Sequence, residues 1–315
     1  VSARVAAVDC GTNSIRLLIA DVSPDGLHDV HREMRIVRLG QGVDATGQFA
    51  PDAIARTRAA LADYADLMRQ HNVTRVRMVA TSAARDVSNR EEFFAMTSEI
   101  LAPVSAGAVA EVITGNEEAR LSFHGAVAEL DSAGAPFVVV DLGGGSTEVV
   151  LGDTAGVQAG HSADIGCVRL TERCLHSDPP TAAEVAAARE VVRQRLGEAL
   201  RVVPVEQART WVGVAGTFTT IAALAQDMTT YDSEAIHLST VPFGRLLQVC
   251  DQLITMTRKQ RAALGPMHEG RVDVIGGGAI VVQELAQALG SRAGIDKLTV
   301  SEHDILDGIA YSIAS

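Results

Sequence analysis

A chain of 315 residues is long enough for two ordinary domains, and a 47% hydrophobic composition gives each an adequate core. The formal net charge of −12 excludes broad, sequence-independent nucleic-acid binding, which needs a basic face, and opposes long-range attraction of any polyanion. No apolar run approaches a membrane span, and 1-VSARVAAVDCG-11 has too short an apolar run and too early an acid for a signal peptide, so the sequence points to the cytoplasm and to no membrane partner.

Residues 5-VAAVDCGTNSIRLLIAD-21 read as an apolar strand, an Asp-x-Gly-x-x-Ser turn and a second apolar strand. His28 and His31 fall in a solvated segment, and 40-GQGVDATGQFA-50 has the composition of a polar loop. A helix spans 51–70, with Pro51 at its start and Ile54, Leu61, Ala65 and Met68 on one face. The alternation of 75-RVRMVA-80 predicts a strand running into 81-TSAARD-86, followed by a helix over 90–101 and a strand over 109–113. Thr114, Gly115 and Asn116 lead to a helix over 117–130, with Asn116 a good N-cap. The segment 131-DSAGAP-136 has the composition of a join.

A second hairpin, 137-FVVVDLGGGSTEVVLG-152, comes next. Beyond it the pattern predicts a helix over about 181–200, a strand 211-WVGVA-215, a turn at Gly216 and Thr217, and a helix over 218–226. Two helices fall within 242–264, a strand 272-VDVIGG-277 leads into a helix over 279–289, and a strand 297-KLTV-300 leads into a last helix over 303–314. Alternating strands and helices imply α/β layers.

Gly143, Gly144 and Gly145 would weaken any helix or strand, because glycine loses the most backbone freedom on ordering. They suit positive φ, or a ligand resting on bare backbone where N–H groups form a concave anion site. A plain hairpin turn is the alternative. The two hairpins align without a gap: Val8 with Val140, Asp9 with Asp141, Gly11 with Gly143, Ser14 with Ser146 and Asp21 with Asp153. A repeat with this spacing predicts two related domains, each opening with the same hairpin. Two such hairpins facing across a cleft could hold one polyphosphate from both sides. A purely structural duplication explains the paired acids less well. The turn is no P-loop, since no Lys follows and 147-TEVVLG-152 reads as strand, and it lacks the Gly-x-Gly-x-x-Gly that opens a dinucleotide-binding helix.

Asp141 ends a strand beside the glycine turn, Glu148 lies on the strand leaving it, and Asp9 is the matching acid of the first hairpin. Carboxylates of this kind hold magnesium together with waters and phosphate oxygens; the alternative is that they solvate the hairpin ends. Glu117 and Glu118 open a helix, where acids favour the dipole whether or not one of them orients a water. Arg85 ends 81-TSAAR-85, either as a surface residue or as a bidentate phosphate clamp at a strand's carboxyl end. Gly213, Gly216 and Thr217, with Gly276 to Gly278, mark further turns that line the same cleft or are simply tight. Of the four cysteines, Cys167 and Cys174 are seven apart on a predicted helix, about 10 Å and too far to bridge. Nine histidines show no tight Cys/His cluster, which argues against zinc.

The pieces 9-DCGTNSIRLLI-19, 81-TSAAR-85, 113-ITGNEEARLSF-123, 141-DLGGGSTE-148 and 212-VGVAGTFT-219 resemble, in order, those of the exopolyphosphatase and guanosine-pentaphosphate phosphohydrolase family, Ppx/GppA. The resemblance implies two ribonuclease-H-like domains of the actin, sugar kinase and acetate kinase superfamily with an interdomain cleft. The first would take in 1–130 and 303–315, the second 131–302. It implies Glu118 as the catalytic base or water-positioning group, and Asp141 and Glu148 as magnesium and catalytic acids. Asn13, Ser14, Gly143, Gly144, Gly145 and Ser146 would cradle phosphate, with Arg85 as a clamp and Asp9, Gly11, Thr12, Gly213, Gly216 and Thr217 as further lining. The expected activity is magnesium- or manganese-dependent release of orthophosphate from the end of inorganic polyphosphate. Guanosine pentaphosphate or ATP as substrate, or a polyphosphate or nucleotide sensor without turnover, are the alternatives. The chain stops near residue 315, without the C-terminal helical domains of longer members, which favours short chains over long. A homodimer stays open.

Overall fold

The computed structural model describes residues 3–24 and 26–314; residues 1, 2, 25 and 315 lie outside them. The chain divides into two compact units, Val1–Gly125 with Ile305–Ser315, and Ala126–Asp304. In chain order the first unit holds β1 (Ala3–Cys10), β2 (Ser14–Ser23), β3 (Gly26–Ile36), α1 (Val43–Thr46), α2 (Pro51–Gln70), β4 (Arg75–Ala80), α3 (Ser82–Arg85), α4 (Arg90–Leu101), β5 (Ala110–Val112) and most of α5 (Gly115–Val127). The second holds β6 (Phe137–Leu142), β7 (Thr147–Asp153), β8 (Gly156–Ala163), α6 (Cys167–Cys174), α7 (Ala182–Val202), β9 (Thr210–Val214), α8 (Gly216–Ala225) and α9 (Ser233–Ile236). It continues through β10 (Thr240–Pro242), α10 (Phe243–Thr255), α11 (Arg258–Ala262), α12 (Ile275–Ala293) and β11 (Lys297–Val300). The last helix, α13 (Ile305–Ala314), returns to the first unit.

The first sheet has the order β3-β2-β1-β4-β5, antiparallel across β1, β2 and β3 and parallel from β1 to β4 to β5. The second runs β8-β7-β6-β9-β11 with the same directions, and β10 adds one antiparallel edge strand. Each is a ribonuclease-H-like sheet, and the hairpin repeat in the sequence is the repeat of its first two strands. The alternation of β1 sends Ala6, Val8 and Cys10 to one apolar cluster, with α2 and α4, and Val5 and Ala7 to another, with Leu121 of α5 and the Ile305–Ile313 face of α13. Both faces are covered, so the strand reads as a continuous apolar run. Buried Asp307 of α13 takes a 2.5 Å ion pair from Arg32 of β3.

Several expectations need correction. The third strands β3 and β8 were not legible. His28 and His31 lie on the edge strand β3, His28 exposed and His31 half-buried, as the solvated reading expects, and His31 meets Glu33 at 3.1 Å. The 40–50 loop contains the single turn α1. No strand covers 272–277, because the chain enters α12 at Ile275. That helix is buried through most of its length, so its apolar run lacks a helical period and resembles a strand.

Candidate active site

The paired hairpins share one turn geometry. Gly11 N–H donates to the Ser14 carbonyl at 2.9 Å, and Gly143 N–H donates to the Ser146 carbonyl at 3.0 Å. What faces the acid across each ladder differs. Asp9 pairs with Arg16, whose guanidinium reaches Asp9 Oδ2 at 2.7 Å; Asp141 pairs with Glu148. Asp141 and Glu148 are 6% and 1% exposed, and like charges directly opposite are destabilising. Ser162 of β8 donates its hydroxyl to Glu148 Oε1 at 2.6 Å. Two buried carboxylates on adjacent positions form a hard-oxygen donor set that fits magnesium or manganese. The first hairpin matches less well, since its acid already carries a guanidinium.

In the first unit Thr12 and Asn13 turn their carbonyls toward the 37–40 segment. Gly40 N–H donates to Thr12, and Val37 and Arg38 N–H donate to Asn13. Thr114, not Asn116, caps α5: its hydroxyl accepts from Glu117 N–H at 3.2 Å, and Asn116 lies inside the first turn. The two glutamates then part. Glu117 is half-buried and binds Arg77 at 2.6 Å. Glu118 is buried and binds Arg85 of α3 at 2.7 Å, and Arg85 also donates to the Ile113 carbonyl. Burial pushes the Glu118 carboxyl up to about 7; Arg85 pulls it down, and the Asp9 charge adds a further upward push. Arg85 is thus engaged with the acid it flanks.

In the second unit the glycine turn is packed against a helix start. Cys167 N–H donates to the Gly143 carbonyl, and Val168 and Arg169 N–H donate to that of Gly144. A β-carbon at Gly166 would lie 2.4 Å from the Gly144 carbonyl, so only glycine admits this approach. With the carbonyls taken by α6, neither Gly144 nor Gly145 donates a backbone hydrogen bond among the described residues. Ser146 is buried beside them.

At the end of β9, Ala215 has φ 75 and ψ 173, a region populated almost only by glycine and costing about 1–3 kcal/mol. That strain starts α8 at Gly216, so Gly216 and Thr217 belong to a helix's first turn and not to a loop. Gly213 is a strand residue on which a β-carbon would fall 2.6 Å from the Phe218 ring. A β-carbon on Gly216 would sit 2.4 Å from Arg271 Cζ, so that guanidinium lies against the first turn of α8, and it reaches Thr220 Oγ1 at 3.4 Å. Gly278 of α12 meets Thr217, and Gly277 meets Thr171 of α6. The starts of α8 and α12 therefore meet at Gly278 and Thr217, with Arg271 against the first turn of α8. Arg271 escaped the sequence reading because no motif marks it. Burial raises the Cys167 thiol at this junction to about 11, so it stays protonated.

A separate cluster joins Glu129, His237 and His303, residues too far apart in sequence to suggest a site. His237 Nε2 lies 3.1 Å and His303 Nδ1 3.2 Å from the Glu129 carboxylate. Glu302 N–H donates to His237 Nδ1, which places the neutral ring's proton on Nε2, toward Glu129. A metal at Nε2 would have to displace that proton and the Glu302 bond.

Residues 18–312 match the family model described as the Ppx/GppA phosphatase family. Over 315 residues the chain is 73% identical to a Mycobacterium tuberculosis protein named exopolyphosphatase 2, with 99% of this chain and 98% of that one covered. A solved structure described as an exopolyphosphatase-like protein has a TM-score of 0.93 at 42% identity, covering 98% of each chain. The Aquifex aeolicus PPX-GPPA enzyme has a TM-score of 0.80 at 32% identity, covering 99% of this chain and 100% of that one. On the family model and these full-length matches, the chain belongs to the Ppx/GppA phosphatase family.

Proposed function

We propose that this protein is an exopolyphosphatase that removes the terminal phosphoryl group of inorganic polyphosphate as orthophosphate. The observation that carries the reading is Glu118: a buried carboxyl on the first turn of α5, fixed by Arg85 and raised to about 7. A general base works best with a pKa near the working pH. Glu118 orients the attacking water and takes its proton. The water oxygen forms the new P–O bond as the terminal anhydride bond breaks, leaving a chain one unit shorter. Arg85 holds the carboxylate in place through this exchange. Within the second unit, the amides of Gly144, Gly145 and the first turn of α8 are donors suited to phosphoryl oxygens. Asp141 and Glu148 would hold magnesium, which would supply charge neutralisation on the phosphates. No helix among the described residues is long and apolar enough to cross a membrane.

The test is orthophosphate release measured side by side on short polyphosphate, long polyphosphate, guanosine pentaphosphate, ATP and ADP, with magnesium and with excess chelator. Polyphosphate is expected to be hydrolysed, and chelator to abolish turnover until magnesium restores it. Release from guanosine pentaphosphate alone would move the assignment to that substrate. Full activity in chelator would remove Asp141 and Glu148 as metal ligands.

A further inference from the structure

The side of α5 that bears Glu117 faces a cavity of ≈ 630 Å³ built within the first unit between α5 and α13. That volume lies in the range of small-molecule sites. Its floor is a close helix crossing: a β-carbon on Gly308 would fall 2.0 Å from the Leu121 carbonyl, so glycine lets α13 meet α5 and the helices diverge from there. One rim is locked, because Arg77 binds Glu117 at 2.6 Å and donates to Ser312 Oγ at 2.8 Å. The acid of the cavity is thereby neutralised.

What remains is one arginine and one histidine. Arg120 and His124 stand one turn apart on α5 and both line the cavity. Both are exposed, and among the described residues no hydrogen bond or ion pair engages either side chain. The first turn of α5 adds its positive end nearby; on the facing wall, the Ser312 hydroxyl of α13 is already committed, donating to the Ile309 carbonyl at 2.6 Å.

We propose that this cavity is a second anion site, separate from the catalytic groups, which takes a small molecule with a phosphate or carboxylate head on Arg120 and His124. Consecutive residues on a helix project about 100° apart, so Glu117 serves this side while Glu118 serves the other. A ligand that fixes α5 therefore fixes the helix that carries the base.

The test reads binding at His124 and not catalysis, so it stands or falls apart from the proposed hydrolysis. The His124 imidazole C–H signal is assigned in the proton NMR spectrum by its loss in His124→Asn. Orthophosphate and acetate are titrated separately at ionic strength held constant with sodium chloride. A saturable shift of the His124 signal with orthophosphate only assigns a phosphate head, and with acetate only a carboxylate head. Arg120→Met, an exposed change that leaves the fold intact, should weaken that binding roughly tenfold or more, as loss of a charge-assisted bond does. A His124 signal unmoved by either anion, or moved equally in Arg120→Met, overturns the proposal.

Discussion

Two neighbouring glutamates behave differently because α5 turns one inward and leaves the other at the surface. Glu118 has its pKa raised to about 7 against 4.5, so in the folded state it holds a proton that the unfolded chain has already released. Folding therefore takes up a proton between those values. The associated stability is present below pH 4.5 and lost as pH rises through 7, on the order of 3 kcal/mol at the limit. Glu118→Gln has no charge to bury, so its melting temperature should gain on the parent as pH rises through that window. A constant difference across it would contradict the burial of an ionisable Glu118. The same group must be deprotonated to act, so kcat/KM should climb about tenfold per pH unit below 7 and level above it. Turnover of Glu118→Gln should fall by ~10²–10⁴-fold. Glu117→Gln loses only the half-exposed pair with Arg77, worth about 0–1 kcal/mol, and should turn over almost normally. Equal losses in the two variants would reverse the roles.

Elements position these residues through backbone contacts, and glycine decides where the contacts are close. Gly166→Ala would force a β-carbon to 2.4 Å from the Gly144 carbonyl, so either α6 or the phosphate turn must shift. The expected outcome is a higher KM together with about 1–3 kcal/mol of lost stability. Gly197→Ala, inside α7 with open space around it, should instead stabilise by about 0.5–1 kcal/mol and leave KM alone. Thermal melts and steady-state kinetics on the pair check this, and an unchanged KM in Gly166→Ala would detach the turn from substrate binding. These contacts also explain what could be read from the sequence. The hairpins were legible because strand, acid and glycine turn are contiguous and occur twice. The Glu117 and Glu118 helix was legible for its contiguous start signal, although Thr114 outcompetes Asn116 as its cap. Strands β3 and β8 were missed because mixed charged and small residues on an edge strand carry no clean alternation. The start of α12 was misread because a helix buried on all sides loses its period. Arg271 and the Glu129, His237 and His303 cluster are assembled by tertiary packing, which no local pattern encodes.

At the scale of the whole molecule, charge sets the terms on which a polyanion arrives. The net charge of −12 repels a long polyphosphate over roughly the Debye length, about 10 Å at 0.1 M salt and 3 Å at 1 M. The groups argued to hold phosphate are local: amides of one glycine turn and one helix start. Such groups engage the chain end, and every further phosphate unit adds repulsion from the net negative charge. Tripolyphosphate should therefore show a larger kcat/KM per chain end than a polymer of hundreds of units at low salt. Added salt weakens the direct contacts for both substrates alike, but it relieves the repulsion mainly for the long one. The ratio of the two specificity constants should accordingly narrow as ionic strength rises. The measurement is orthophosphate release from both substrates, at matched chain-end concentration and fixed free magnesium, across a salt series. A preference for the long polymer at low salt, with intermediates absent because each chain is degraded before release, would mean that a cationic path exists and that net charge does not govern substrate length.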